Sequence, residues 1–178
     1  SKEDRFSKWE EGKKEEYWSK ITKAVNDTKG KIITYENHPI NAFFHASSGG
    51  TTEVPLNVWG GQGYPYLQVV QTSGEDTYTQ YASEVLLAKE EFINRIKDKH
   101  SDFEIDFSKE NEIRILEHTE SGRVKTIKIG NLNLSGVEVQ SLLGLKSANM
   151  KLTDEEAMMK LSVIGYSHGV GRSQTGAD

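Results

Sequence analysis

The sequence contains no cysteine, only three prolines among its 178 residues, and no apolar run long enough to cross a membrane. Without cysteine the chain has no disulfide, no thiolate zinc site and no cysteine nucleophile. A membrane span needs about twenty consecutive apolar residues, and the first residues, from Ser1 to Arg5, also lack the apolar core of a signal peptide. We therefore expect a cytosolic protein, or an exported protein whose leader has been removed.

The chain also lacks an excess of positive charge. Its formal net charge is -5 and its pI is near 5.6, with lysine and arginine mixed among aspartate and glutamate. We expect no nucleic-acid partner, because binding to phosphates needs a basic face. Hydrophobic residues make up 35% of the chain and charged residues 28%, which is typical of a globular protein. We expect one domain over residues 1–178, with a helical start over 1–30 and a body over 31–178.

Three helices are predicted, the first two from the apolar residues of their segments. These residues predict helices over residues 15–29 and 83–97. The third helix has the best defined ends, because Ser135 and Glu138 have the spacing of an N-terminal capping box and Gly144 follows as a C-terminal stop.

Segments rich in β-branched and aromatic residues predict strands in much of the remaining chain. Residues 31–35 and 39–45 are predicted to form a hairpin. A second hairpin is predicted from residues 150–152 and 157–164, although residues 153–156 could instead cap a helix. Single strands are predicted at residues 66–71, 103–107, 112–117 and 124–129. These elements together indicate an α+β fold with mixed or antiparallel strands and a few helices.

The first of two polar, glycine-containing segments runs from His45 to Glu53 and follows a predicted strand. Sites are often placed where a strand ends in a polar loop. His45 and Ser47 would share one face, but no third residue that could orient the histidine is evident, so we expect no catalytic triad. Glu53 could be a general acid if it is buried, whereas an exposed Glu53 would be a cap or turn residue. The segment is either a ligand-contacting loop or a solvated turn.

The second polar segment runs from Tyr166 to Gly176. Its glycines allow the backbone to approach a ligand closely, and His168, Ser173 and Gln174 offer proton transfer and hydrogen bonds to hydroxyl-rich groups. The segment lacks the third glycine and the downstream acidic residue of a dinucleotide-binding loop. The alternative is a terminal strand and turn with a surface histidine.

Other candidate residues lie between these segments. Residues 54–63 are too interrupted by proline and glycine to predict a regular element, but they include Trp59, and Tyr64 and Tyr66 follow. Such rings could stack on the apolar faces of sugars. Core packing is the alternative, above all for Tyr66, which begins a predicted strand. The remaining histidines have no partner at a metal-ligand spacing and are interpreted as surface residues: His38, His100 and His118.

In four blocks that keep their order, the chain resembles the stage II sporulation protein D family, which includes amidase enhancers. The blocks are Lys23 to Gly30, then Phe44 to Glu53 with Val58, Trp59 and Tyr64 to Leu67, then Leu134 to Leu145, and finally Gly165 to Gln174. One such block would be a weak signal, whereas four blocks in order over nearly the whole chain make a specific match.

The resemblance implies a peptidoglycan lytic transglycosylase that thins the septal cell wall during engulfment in endospore-forming bacteria. Such an enzyme cleaves glycan strands without water and leaves a 1,6-anhydro product. It needs a carboxylic acid that protonates the glycosidic oxygen and later acts as a base. The family's catalytic glutamate lies in an N-terminal block that this sequence does not contain. The chain is therefore expected to be part of a larger catalytic domain, with the catalytic acid and a membrane anchor upstream.

The implied location is the extracytoplasmic face of the mother-cell membrane. The implied partners are peptidoglycan glycan strands and other wall-remodelling proteins of sporulation. Some clostridial relatives carry a metal-binding stretch of cysteine and histidine that is absent here, so zinc remains open for the full-length protein and no metal site is evident in this chain. Two alternatives to the transglycosylase are a non-catalytic peptidoglycan-binding module that stimulates or recruits an amidase, and a hydrolase that uses Glu53.

The resemblance places eleven residues near the glycan groove, all within the two polar segments: His45, Ser47, Ser48, Gly49, Thr51, Glu53, His168, Gly169, Gly171, Ser173 and Gln174. None of them is assigned as the catalytic acid. The chain departs from the family pattern at Arg172, where methionine is favoured, and at Thr175, where an aromatic residue is favoured. Both departures predict a more polar pocket.

Overall fold

A computed structural model of the chain describes residues 6–7, 9–61 and 63–177, apart from the side chain of Glu11. Contacts divide the chain into two compact units, the first ending at Asn41 and the second beginning at Ala42. Within the described residues, none of the helices has both the length and the apolar character needed to span a bilayer. The single domain expected over residues 1–178 stays a prediction.

The first unit contains a helix and a short hairpin. Helix α1, Lys14–Asp27, confirms the helix predicted from apolar spacing at the start of the chain. Strands β1, Thr34–Tyr35, and β2, His38–Pro39, pair antiparallel. The turn between them is formed by Glu36 and Asn37, which have φ angles of 49° and 62°. Positive φ at both central residues is typical of the two-residue hairpin turn whose twist matches that of the strands.

The second unit contains the remaining strands and helices. Its strands are β3 Phe44–His45, β4 Ala82–Ala88, β5 Ile113–His118, β6 Val124–Ile129, β7 Leu132–Ser135, β8 Met150–Glu155, β9 Met158–Ile164 and β10 Arg172–Ser173. Its helices are α2 Pro55–Trp59, α3 Lys89–Lys97 and α4 Gly136–Leu143, with single 3-10 turns at Glu75–Thr77 and Thr175–Ala177.

Two antiparallel sheets, ordered β4-β9-β8 and β5-β6-β7, form the body of the second unit. Helices α3 and α4 contact each other; α3 packs on β4 and β9, and α4 packs on β6 and β7. The core lies between these elements and includes the fully buried Phe92, Ile127, Met159 and Leu161. Each such side chain contributes about 1.5–3 kcal/mol by leaving water. Because β3 and β10 pair in parallel, the chain has the predicted α+β fold with mixed strand pairing.

Helix α4 confirms the prediction made from its end signals. The Ser135 hydroxyl accepts a hydrogen bond from the Glu138 N–H at 3.1 Å, and Gly144 ends the helix in a left-handed conformation. The Glu138 side chain accepts hydrogen bonds from Lys99 and His100 instead of reaching back to Ser135. The cap therefore uses one half of the predicted capping box, and tertiary contacts occupy the other half.

Several predicted strands are also confirmed. The segments predicted at residues 112–117 and 124–129 form β5 and β6, which pair with each other. Residues 150–164 form the predicted hairpin of β8 and β9, in which Glu155 is opposite Met158. The turn is therefore limited to residues 156–157, and the alternative of a helix capped at 153–156 is excluded.

The prediction of a helix over residues 83–97 is wrong for residues 83–88, which form β4. This strand pairs with β9 over its whole length, from Ala82 opposite Ile164 to Ala88 opposite Met158. The apolar residues before Lys89 fit both a helical and a strand period, and pairing with a strand at least 70 residues away decides between them. The helix begins at Lys89 and ends at Lys97, so the prediction is correct for residues 89–97.

The segments that flank the first polar segment differ from their predictions. The predicted strand over residues 39–45 is broken, because β2 ends at Pro39 and β3 begins at Phe44. Residues 54–63, predicted to be irregular, contain the five-residue helix α2, which begins at Pro55. Proline suits this position because its missing N–H would be unpaired at a helix start.

Two predicted strands are absent and one strand was not predicted. Residues 66–71 form no regular strand, since the Thr52 side chain and isolated backbone hydrogen bonds hold this segment in place of a partner strand. Residues 103–107 form a loop in which Phe103 is buried. Strand β7, between Leu132 and Ser135, was missed because it is short and runs directly into α4.

Candidate functional site

The two polar segments lie side by side in the second unit. Strands β3 and β10 pair in parallel, with His45 opposite Ser173. Ser47 exchanges two backbone hydrogen bonds with Tyr166, at 3.2 and 2.8 Å, and the Glu53 N–H donates to the Gly169 carbonyl at 2.8 Å. Segments about 120 residues apart in the sequence therefore form one continuous surface.

Glu75 lies at the centre of this contact, although it belongs to neither segment. Its side chain is 2% exposed. Its Oε2 accepts hydrogen bonds from the hydroxyls of Ser47 and Ser48, at 3.0 and 2.9 Å, and from the N–H groups of residues 49 and 50, at 2.8 and 3.3 Å. Its Oε1 accepts a hydrogen bond from the hydroxyl of Ser173. One carboxylate therefore joins the first polar segment to the second.

These donors also fix the ionisation state of Glu75. Burial by itself raises the pKa of a carboxyl because it penalises the charged form. Here the hydrogen bonds outweigh burial, led by those from Ser173 and Ser48, and the pKa of Glu75 falls from 4.5 to about 2. The side chain is ionised at neutral pH and has no proton to donate.

Glu53 is a second buried carboxylate, and its side chain is 1% exposed. Its Oε1 accepts hydrogen bonds from the Val54 N–H and the Asn57 side chain, both at 2.8 Å. Its Oε2 accepts from the hydroxyls of Thr119 and Ser121, both at 2.6 Å. Burial acts to raise the pKa of Glu53, but the hydrogen bonds from Ser121, Thr119, Asn57 and Val54 outweigh it and the pKa is lowered. Glu53 is therefore buried and ionised.

Arg123 is the buried cation that accompanies the two carboxylates, and it is 3% exposed. Its Nη1 donates to the Thr51 carbonyl at 2.9 Å and to the Ser121 hydroxyl at 2.8 Å. Its Nη2 donates to the Ser48 carbonyl at 2.6 Å. The guanidinium thus holds the backbone of the first polar segment at Ser48 and Thr51.

We call Glu53, Glu75 and Arg123 the charged cluster. Burial lowers the pKa of Arg123, whereas the negative charges of Glu53 and Glu75 act to raise it. Buried charges are tolerated when hydrogen bonds and opposite charges compensate for lost hydration. Every carboxylate oxygen of the cluster is hydrogen-bonded, so its groups serve to hold the surrounding loops in one arrangement.

Two glycines of the second segment are required by close packing against this arrangement. A Cβ at Gly169, where φ is +78°, would lie 2.2 Å from Arg123 Nη2. A Cβ at Gly171, where φ is +79°, would lie 2.2 Å from the Phe43 carbonyl oxygen. Both positions therefore combine a left-handed conformation with a lack of space for any side chain.

His45 and His168 are neighbouring imidazoles with defined proton positions. The Nδ1 of His45 lies 3.1 Å from the Val170 carbonyl, which can only accept, so Nδ1 carries the proton. The Nδ1 of His168 accepts a hydrogen bond from the Val170 N–H at 3.0 Å, which leaves the proton on Nε2. Burial is the main cause that lowers the pKa of both histidines. Both rings are therefore neutral at neutral pH.

An aromatic group borders the histidines. The Trp59 ring lies 5.0 Å from the rings of both Phe43 and His168. Tyr64 contacts Phe43 at 5.4 Å, and Tyr66 contacts Tyr64 at 5.7 Å. Trp59 is 51% exposed, whereas Tyr64 and Tyr66 are half-buried. Trp59 therefore matches the expectation of an exposed ring that could stack on a sugar, whereas the partial burial of Tyr64 and Tyr66 is closer to the alternative of core packing.

The eleven residues expected near the groove differ in exposure. Six are buried: His45, Ser47, Ser48, Glu53, Gly169 and Ser173. The hydroxyls of the three buried serines bind Glu75, so these side chains position the loops. The other five are accessible: Gly49, Thr51, His168, Gly171 and Gln174. Contact of any of the eleven with a glycan stays a prediction.

Sequence reasoning missed Glu75, Arg123, Thr119 and Ser121. Glu75 follows a glycine in a polar stretch, and the residues 119–123 form the turn between β5 and β6, so all four look like ordinary surface residues in the sequence. The one available signal was the excess of small hydroxyl residues at 47, 48 and 173, which need a buried acceptor if they are themselves buried. Among the described residues, no group of three or more His, Asp or Glu side chains is placed to hold a metal ion.

Comparison with known proteins identifies relatives of the chain by sequence. No protein-family model matches the chain. The chain is 33% identical over 159 residues to stage II sporulation protein D of Bacillus subtilis (strain 168) and 31% identical over 160 residues to the protein of that name from Bacillus amyloliquefaciens. Each alignment covers 89% of this chain and 44% of the relative.

A more distant relative is the amidase enhancer of Bacillus subtilis (strain 168), with 25% identity over 89% of this chain and 29% of the relative. The chain spans less than half the length of these curated relatives. The chain thus has an α+β fold, and most of its sequence aligns with proteins named stage II sporulation protein D and amidase enhancer. Over the aligned region, the chain is homologous to stage II sporulation protein D, in agreement with the resemblance found in its four sequence blocks.

Proposed function

We propose that this chain forms part of the glycan-binding cleft of a peptidoglycan lytic transglycosylase that acts in septal wall degradation and engulfment during sporulation. The catalytic acid is contributed by a part of the protein outside this sequence. The protein acts at the extracytoplasmic face of the mother-cell membrane, on glycan strands and beside other wall-remodelling proteins. Support comes from homology to stage II sporulation protein D over 89% of the chain.

The observation that carries the proposal is the state of the two buried carboxylates. A transglycosylase acid must hold a proton at neutral pH and reach the glycosidic oxygen. Glu53 is 1% exposed and Glu75 is 2% exposed, and hydrogen bonds lower the pKa of each. Both are therefore ionised at neutral pH, so we assign the pair to positioning the loops around it and the catalytic acid to another part of the protein.

The same observation disfavours a hydrolase that uses Glu53 as its acid. Such a Glu53 would need a raised pKa, as in an apolar pocket, whereas its carboxylate accepts four hydrogen bonds. A non-catalytic wall-binding module that stimulates or recruits an amidase is the second candidate. The relationship to an amidase enhancer over 89% of the chain favours it.

Digestion of purified, peptide-free glycan strands separates these functions. The chain alone and a version extended at its N-terminus are incubated with the strands, and the masses of the soluble products are measured. The proposal predicts 1,6-anhydro products from the extended version and no cleavage by the chain alone. Reducing-end products from the chain alone would overturn it, and binding without cleavage by both versions would favour the amidase-associated module.

A further inference from the structure

Trp59 is a large exposed ring on a short helix that Glu53 holds in place. Trp59 is 51% exposed and is the last residue of helix α2. Glu53 fixes the start of this helix by accepting hydrogen bonds from the Val54 N–H and the Asn57 side chain. The Phe43 ring lies 5.0 Å from it. An exposed aromatic side chain that is supported in this way can bind a ligand at a low cost in conformational entropy.

His168 is fixed beside Trp59 by the same glutamate. The Glu53 N–H donates to the carbonyl of Gly169 at 2.8 Å, which follows His168 directly, and the two rings lie 5.0 Å apart at 59°. The Val170 N–H donates to Nδ1 of His168 at 3.0 Å, so the neutral ring presents an N–H at Nε2. We call Trp59 and His168 the indole–imidazole pair.

The pair combines an apolar ring face with a neutral hydrogen-bond donor. This chemistry suits a pyranose, whose axial C–H groups pack on an aromatic face while its hydroxyl or acetamido oxygens accept hydrogen bonds. An anionic ligand fits less well, because the nearby cation, Arg123, is buried and its Nη groups already bind Thr51, Ser121 and Ser48.

We propose that the indole–imidazole pair is a subsite for one N-acetylhexosamine ring of a β-linked glycan, with the sugar stacked on Trp59 and its acetamido oxygen bonded to Nε2–H of His168. This inference rests on the proposed function and names the part of the cleft that binds a sugar. It assigns no role in bond cleavage to either residue.

The test uses the fluorescence of Trp59. The sequence contains three tryptophans, and Trp9→Phe with Trp18→Phe leaves Trp59 as the sole emitter. This protein is titrated with N,N′,N″,N‴-tetraacetylchitotetraose and, separately, with cellotetraose, which lacks acetamido groups. A saturable change with the first sugar, and a clearly weaker response to the second, is the expected result. Unfolding midpoints measured in parallel identify any variant that fails to fold.

Two variants and one control sharpen the test. Trp59→Ala, measured by calorimetry, is expected to weaken binding about tenfold or more because the stacking surface is lost. His168→Asn is expected to weaken it about fivefold, since the asparagine oxygen can still accept the Val170 N–H while the Nε2 donor disappears. Leu56→Ala is the matched control, because Leu56 is 58% exposed on the same helix and should not affect affinity.

Several outcomes would overturn the subsite. These are no response of Trp59 to the chitotetraose, wild-type affinity in both variants of the pair, or an equal loss in the Leu56 control. An equal response to cellotetraose would overturn the acetamido contact. Cleavage of glycan strands by the extended protein, together with a silent Trp59, would refute the subsite and leave the proposed function standing.

Discussion

Replacing Glu75 by glutamine tests whether an ionised carboxylate holds the two polar segments together. The substitution keeps the shape of the side chain and removes its charge. Because the pKa of Glu75 falls from 4.5 to about 2 in the folded chain, and one pKa unit corresponds to about 1.4 kcal/mol, the ionised form contributes about 3 kcal/mol at pH 7. We expect Glu75→Gln to lower the free energy of unfolding by about that amount.

The pH dependence of this loss gives the sharper test. A carboxyl with a lowered pKa stabilises the fold fully above its unfolded pKa, and this contribution disappears as the pH falls through the folded pKa. The difference between wild type and Glu75→Gln should therefore be near 3 kcal/mol at pH 7, shrink mainly between about pH 4.5 and pH 2, and vanish below that range.

Urea unfolding followed by circular dichroism at several pH values measures this difference. Asp76→Asn is the matched control, because Asp76 is the next residue in the chain and is exposed, and its loss should stay below about 0.5 kcal/mol. A difference for Glu75→Gln that is below about 0.5 kcal/mol at pH 7, or that does not change between pH 7 and pH 3, would refute the reasoning.

Two further predictions concern backbone positions. Gly169→Ala should destabilise the fold by about 2–4 kcal/mol in thermal or urea unfolding, because the new Cβ would lie 2.2 Å from Arg123 Nη2. The control Gly122→Ala, with a similar φ of +84° and open space around it, should cost about 1 kcal/mol. Equal losses in the two variants would contradict the clash. Ser135→Ala should cost about 1 kcal/mol through loss of the helix cap at Glu138 N–H, whereas Ser135→Asp should restore most of it; an unchanged midpoint for Ser135→Ala would show that the cap contributes nothing.

The sequence predicts elements well where their signals are local. Helix α4 carries its own cap and stop, and the hairpin of β8 and β9 has its turn between two β-rich segments. Strand β4 could not be assigned in this way, because its apolar residues fit a helix as well and its partner β9 lies at least 70 residues further along the chain. Pairing across that distance overrides local preference.

Long-range contacts also determine the candidate site, and local sequence patterns reveal even less of them than of strand β4. The two polar segments stand out in the sequence by composition and by resemblance, but the residue that joins them does not. Glu75 accepts hydrogen bonds from residues 28 positions before it, at Ser47, and 98 positions after it, at Ser173. No local pattern marks a glutamate whose donors are all distant, so its role and that of Arg123 follow from the three-dimensional contacts.

We propose that this chain binds glycan strands and that its buried carboxylates position loops without transferring protons. The most direct test incubates the chain alone with peptide-free glycan strands and measures both the bound protein, by sedimentation, and the soluble products, by mass spectrometry. Our account predicts binding with no released fragments. Fragments that are released by the chain and lost in Glu53→Gln, or the absence of any binding, would contradict it.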